Sequence, residues 1–290
     1  MQRACFFILF VFSSSIAFST EPVNPAATQD VQKVLKYIIE LKGNGVLTGQ
    51  QNLADSVTRW TNKVFEITGK YPALLGEDFS YGKEAFKKRL DITTAAVEHW
   101  KEGGLVTISW HQVNPDRWDG SANEGEFGDT QVAMTKERFQ ELLHEKTVIH
   151  DKYIAHIDTI ATYLKKLRDS GVVVLWRPYH EMNGGWFWWG AKPDFKSLWK
   201  LMYDRYTNYH GLNNLIWVWS PNISNPIVEY YPGDEYVDIV GFDGYPRDVR
   251  NWDNDEKLKN ELDKINTLSK NKIISLTEVG WLPEMEWLKK

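Results

Sequence analysis

Seven short runs of apolar residues punctuate this chain: Val46–Thr48, Ala73–Leu75, Leu105–Ile108, Val172–Trp176, Leu215–Trp219, Val237–Phe242 and Ile273–Leu276. Such runs do not alternate in polarity, so each reads as a strand buried on both faces. Between them lie segments with the helical period. Val31, Val34, Leu35, Ile38 and Leu41 form one, and Gly43-Asn44-Gly45 stops it. Phe86 to Trp100, Tyr153 to Leu167, Phe195 to Tyr206 and Leu258 to Leu268 carry four more. Doubly buried strands alternating with amphipathic helices require a parallel sheet whose outside is covered by helices.

Polar residues recur where the strands end: Gln50, Asp78, His111, His180-Glu181, Asn222, Asp243 with Tyr245, and Glu278. No glycine-rich phosphate loop follows the first strand. A ring of chemistry at the carboxyl ends of many strands points to an α/β fold of the TIM (β/α)8 barrel type rather than a doubly wound sheet. Only twelve residues follow Glu278, so the barrel is expected to be truncated before or within its eighth βα unit. No repeat or linker divides the chain.

Residues 1–19 carry Arg3, a nine-residue apolar stretch from Ala4 to Phe12, and Ala17-Phe18-Ser19 as a small-x-small cleavage site. They read as a secretory signal peptide, which leaves 20–290 as one catalytic barrel in a secreted or periplasmic protein. Cleavage would remove Cys5, the sole cysteine, and with it any disulfide, zinc-thiolate or cysteine-nucleophile chemistry. With 34 Lys+Arg against 39 Asp+Glu and no basic block, nucleic acid is not the expected partner. No later apolar run is long enough to span a membrane. A monomer is expected.

Seven of the 14 tryptophans fall between Trp176 and Trp219. Rings at that density suggest a surface that stacks on sugar. Glu181 and Glu278 each stand where a buried strand emerges, and a barrel would bring them to one mouth. Retaining glycoside hydrolysis uses two such carboxylates about 5–5.5 Å apart, one protonated and one ionised. The aromatic run after Glu181 would raise its pKa, and Arg177 would keep a neighbouring carboxylate ionised. Plainer readings stand beside these. Glu278 alone fits a solvated loop, His111 a structural histidine, Tyr245 packing, and Asp78 and Asp243 loop caps. Trp217 and Trp219 fit either core or pocket. The histidines are too scattered for a metal triad, and His180-Glu181 lacks the second histidine of a zinc-protease helix.

Trp176–Gly190 (WRPYHEMNGGWFWWG), with SWH at 109–111, GFDGY at 241–245, LTEVGW at 276–281 and GVLTGQQN at 45–52, resembles glycoside hydrolase family 26, the clan-A β-mannanases. The likeness runs over roughly residues 30–285. It implies retaining cleavage of β-1,4-mannosidic bonds in mannan, glucomannan or galactomannan, without a cofactor. By motif, Glu181 matches the general acid/base and Glu278 the nucleophile. His111 and His180 match residues lining the subsite of the sugar to be cleaved. Trp186 matches a sugar-contacting ring, and Tyr245 the tyrosine that hydrogen-bonds the nucleophile. The alternatives are the same chemistry on mixed-linkage β-glucan or β-1,3-xylan, and a non-catalytic glycan-binding barrel.

Overall fold

A computed structural model describes residues 21–81, 85–119, 127–223, 226–245, 256–268, 272–280 and 283–284. Seven parallel strands form one sheet in chain order. They are β1 (Gly49–Gln51), β2 (Leu74–Asp78), β3 (Leu105–Trp110), β4 (Val174–Pro178), β5 (Leu215–Trp219), β6 (Ile239–Gly244) and β7 (Ile273–Val279). The helices are α1 (Gln29–Leu41), α2 (Arg59–Thr68), α3 (Arg89–Lys101), α4 (Lys136–Leu143), α5 (Val148–Asp169), α6 (Phe195–Asp204) and α7 (Glu256–Leu268). The sheet curls: Arg177 on β4 reaches Glu278 on β7 across its concave face. This is the sheet of an α/β TIM-type barrel, with β1 and β7 as its edges among the described residues. The proposed signal peptide lies outside the described residues, and of the twelve residues after Glu278, where the eighth βα unit was expected to be cut short, 279–280 and 283–284 are described.

At the strands' amino ends the concave face is hydrocarbon. Val31, Val34 and Leu35 of α1 pack against Leu105, Val173, Leu175, Ile216, Val218 and Ile239 and close the floor. Thr28 starts α1 by accepting a hydrogen bond from the Val31 N–H. On the convex face, between sheet and helices, the rings of Trp176, Trp199, Trp217 and Trp219 pack with Tyr203, Tyr206 and Tyr231.

This layer corrects the sugar-surface expectation. Of the seven tryptophans from 176 to 219, six are fully buried, and Trp186 alone is exposed, at 36%. A tryptophan has enough apolar area to fill the gap between a sheet and its helices, and that use dominates here.

Three elements differ from the sequence expectation. The first strand starts at Gly49 rather than Val46, because Leu47 packs beneath the floor instead of pairing. Gly49 itself lies against Leu74, so close that a Cβ there would sit 3.1 Å from the Leu74 Cβ. Helices α2 and α4 carry too little buried apolar surface to stand out by periodicity: α2 buries Thr61, and α4 buries Phe139 and Leu142.

Candidate active site

Arg177, next to last in β4, points into the mouth and is buried. Its Nη1 donates to both oxygens of Asp243 on β6, at 3.3 and 3.0 Å, and its Nη2 donates to Oε2 of Glu278 on β7 at 2.7 Å. The other oxygen of Glu278 accepts from the Tyr245 hydroxyl at 2.5 Å. Asp243 also accepts from Ser220 at the end of β5 (2.6 Å) and from Thr277 (2.8 Å). The ends of β4, β5, β6 and β7 thus share one network built on Arg177 and Asp243.

The electrostatics separate the two acids. Burial raises Asp243, the Arg177 charge opposes this, and the nearby Glu278 charge pushes it further up, so Asp243 lies well above the carboxylate range. Burial raises Glu278 too. There, however, the Arg177 charge and the hydrogen bonds from Tyr245 and Arg177 prevail and bring it below its ordinary value. The pair keeps its negative charge on Glu278.

Glu181 is presented by a strained turn. Tyr179 and Glu181 both adopt left-handed backbone, φ +50° and +54°, a conformation costing about 1 kcal/mol or more for a residue with a Cβ. The turn is fixed by the Glu181 N–H donating to the Ser220 carbonyl at 2.7 Å. The carboxyl accepts from Asn222 Nδ2 on one oxygen and from Trp186 Nε1 on the other, each at 2.7 Å. Asn222 is itself clamped, donating to Asn183 through its N–H and accepting from the Asn183 amide through its carbonyl. Burial raises Glu181, the Asn222 bond lowers it, and the charge of Glu278 raises it; the net shift is upward. Gly184 makes room for this arrangement, since a Cβ there would fall 2.4 Å from the Trp186 ring.

His111 and His180 meet edge to face, 4.4 Å between ring centres. His111 Nδ1 lies 2.7 Å from Asp78 Oδ2, and the His111 backbone N–H donates to Oδ1. Asp78 is fully buried, yet His111, Ser109 and Ser80 hold its carboxyl far below the ordinary range against the pull of burial. The carboxylate therefore makes Nδ1 the protonated nitrogen of His111. His180 is buried among Arg177, His111 and the Phe187 and Trp189 rings; burial first, then the Arg177 charge, keeps it neutral.

The structure thus gathers Glu181, Glu278, His111, His180, Trp186 and Tyr245 at one mouth, whereas Trp217 and Trp219 lie in the layer between sheet and helices. Tyr245 and Asp243 are hydrogen-bonded within the mouth to Glu278 and Arg177, and His111 is held by Asp78. Asp78 keeps its loop-capping bond to the Ser80 N–H (2.8 Å) and adds the histidine. Asn183 and Ser220 went unselected, and Asn222 was noted only for its place at a strand end, because their importance lies in which partner they meet. Among the described residues, no cluster of three His, Cys, Asp or Glu side chains is placed to hold a metal ion.

The sequence profile described as Glycosyl hydrolase family 26 matches residues 23–290. A mannan endo-1,4-beta-mannosidase of Thermothelomyces thermophilus is 35% identical over 275 residues, covering 90% of this chain and 52% of that protein. One from Bacillus subtilis (strain 168) is 31% identical over 302 residues, covering 94% of this chain and 78% of its own length. The chain thus spans about half the length of the first relative and most of the second. Among solved structures, GH26A from Muricauda sp. MAR_2010_75 superposes with a TM-score of 0.80 at 36% identity, covering 92% of this chain and 86% of that one. A Podospora anserina GH26-CBM35 β-(1,4)-mannanase gives 0.77 at 30% identity, covering 94% of this chain and 60% of its own.

Proposed function

The chain belongs to glycosyl hydrolase family 26, and from that premise we propose that it is an exported endo-β-1,4-mannanase acting as a monomer by retaining double displacement. One observation carries the mechanism: Arg177 and Tyr245 lower the pKa of Glu278, while burial and the Glu278 charge raise that of Glu181. Opposite protonation of two carboxyls at one mouth is what an acid and a nucleophile require.

Glu278 attacks the anomeric carbon of the bound mannose as the bond to the leaving oxygen breaks. Glu181 gives that oxygen its proton, and the glycosyl ester forms on Glu278. Glu181, now ionised, takes a proton from water as the water attacks the anomeric carbon, and Glu278 leaves as a carboxylate. When Glu278 becomes a neutral ester, Arg177 stays hydrogen-bonded to Asp243, which has then lost the Glu278 charge that raised its pKa. His111 and His180 line the subsite of the attacked sugar, and Trp186 offers its exposed face to the leaving sugar beside the acid. Turnover rises with pH as Glu278 ionises and falls as Glu181 loses its proton, giving a bell.

Reducing-sugar release from galactomannan, glucomannan and mixed-linkage β-glucan tests the assignment. The mannans should be cleaved by the wild-type protein, and Glu278→Ala should lower turnover by about 10⁴-fold or more with the fold intact. Glucan as the better substrate would move the specificity. Binding of mannan without any release would make the protein a glycan-binding barrel, and a fully active Glu278→Ala would remove the nucleophile assignment.

A further inference from the structure

Building on that function, we propose that Tyr81 is a sugar platform for the glycan chain on the side of the cleaved bond opposite Trp186, and that it governs productive binding of short mannan fragments. The mouth contains a row of side chains. Tyr81 packs against His111 (5.1 Å between ring centres), His111 against His180, and the backbone passes from His180 to Glu181, whose carboxyl receives Trp186. Inside the row His180 and Glu181 are buried and His111 is partly so, and its two ends are the exposed rings: Trp186 at 36% and Tyr81 at 37%. Trp186 is tied to the proton donor, so its end takes the leaving sugar. The other end takes the chain that remains bound to Glu278.

The backbone under Tyr81 is held with unusual thoroughness. Arg89, a buried arginine from the start of α3, donates to the Phe79 carbonyl (2.9 Å) and to Ser80 Oγ (3.1 Å). Trp110 Nε1 donates to the same Ser80 oxygen at 2.9 Å, and Asp78 accepts from the Ser80 N–H. The Tyr81 carbonyl accepts from the Ala54 N–H, joining the loop after β1 to the loop after β2. Fixing the backbone lowers the ordering cost of a stacking contact. A flat ring half open to solvent, beside the histidine of the attacked sugar, is suited to the apolar face of a pyranose.

The test is hydrolysis of β-1,4-linked mannose tetrasaccharide, hexasaccharide and polymeric mannan by wild type, Tyr81→Ala and Tyr81→Phe, with product patterns and melting temperatures. Tyr81→Ala should lose about tenfold in kcat/KM on the tetrasaccharide, mostly through KM, and change which bond is cut, with smaller loss on the polymer. Tyr81→Phe should keep the wild-type pattern, because the face does the work. An unchanged Tyr81→Ala on an active wild type would overturn the platform and leave the mannanase reading standing. Equal losses on all substrates with a lowered melting temperature would reduce Tyr81 to a packing residue. A wild type that cleaves no mannan would instead overturn the mannanase reading on which the platform rests.

Discussion

The two ends of the concave face are built on opposite principles. At the floor, Val31, Val34 and Leu35 of α1 pack into an apolar cluster with side chains from β3 to β6. At the mouth, Arg177, Asp243 and Glu278 share one network of charge-assisted bonds. Apolar contacts are individually small and nearly independent, so the floor tolerates change in proportion to the area lost. Buried charges depend on one another, and removing one strands the rest. The floor supplies stability and the mouth supplies chemistry. That division is the one usual for barrels of this type.

Of the variants that probe this division, Arg177→Met should have the largest effect. With the cation gone, nothing offsets the burial of Glu278, which then retains its proton to higher pH. kcat/KM should fall about 10³-fold with its acid limb moved upward, and stability by about 3–5 kcal/mol. Adding Asp243→Asn should recover part of the stability in denaturant titration but none of the activity. Additive losses would mean that the mouth is not a coupled unit.

Leu35→Ala probes the floor. It should cost about 2–5 kcal/mol in chemical denaturation with kcat/KM unchanged wherever the protein is folded. A comparable fall in kcat would show that floor and mouth communicate.

Glu77 departs from both patterns. It is fully buried, neither carboxyl oxygen has a hydrogen-bond partner among the described residues, and burial, with help from the Asp78 charge, pushes its pKa up to about 9. In the unfolded chain it titrates near 4.5. As pH rises between those values the unfolded state releases a proton that the folded state keeps, so stability falls across that window and levels off above it. Glu77→Gln should therefore be nearly neutral at pH 4 and stabilising by about 1–3 kcal/mol at pH 8, read from melting curves at both. A gain independent of pH would point to packing rather than ionisation. The smallest effect is expected of Thr28→Ala, about 1 kcal/mol of stability from the lost cap of α1, with activity intact.

Much of this was legible in the chain itself. Alternating apolar runs and helical periods dictate a parallel sheet covered by helices, because no other arrangement buries both strand faces. The two glutamates were recognisable at strand ends, and the long aromatic motif carried the family. The partners were not legible: Arg177 and Glu278 are far apart in sequence, and only the curl of the sheet brings them to 2.7 Å. Nor could the tryptophans be sorted. In a strand buried on both faces, alternation does not reveal which side is concave. Trp176 and Arg177 are neighbours, yet one enters the helix layer and the other the mouth. Composition and period determine that such residues are buried; the closing geometry of the sheet decides against what, and at these distances the partner sets the charge.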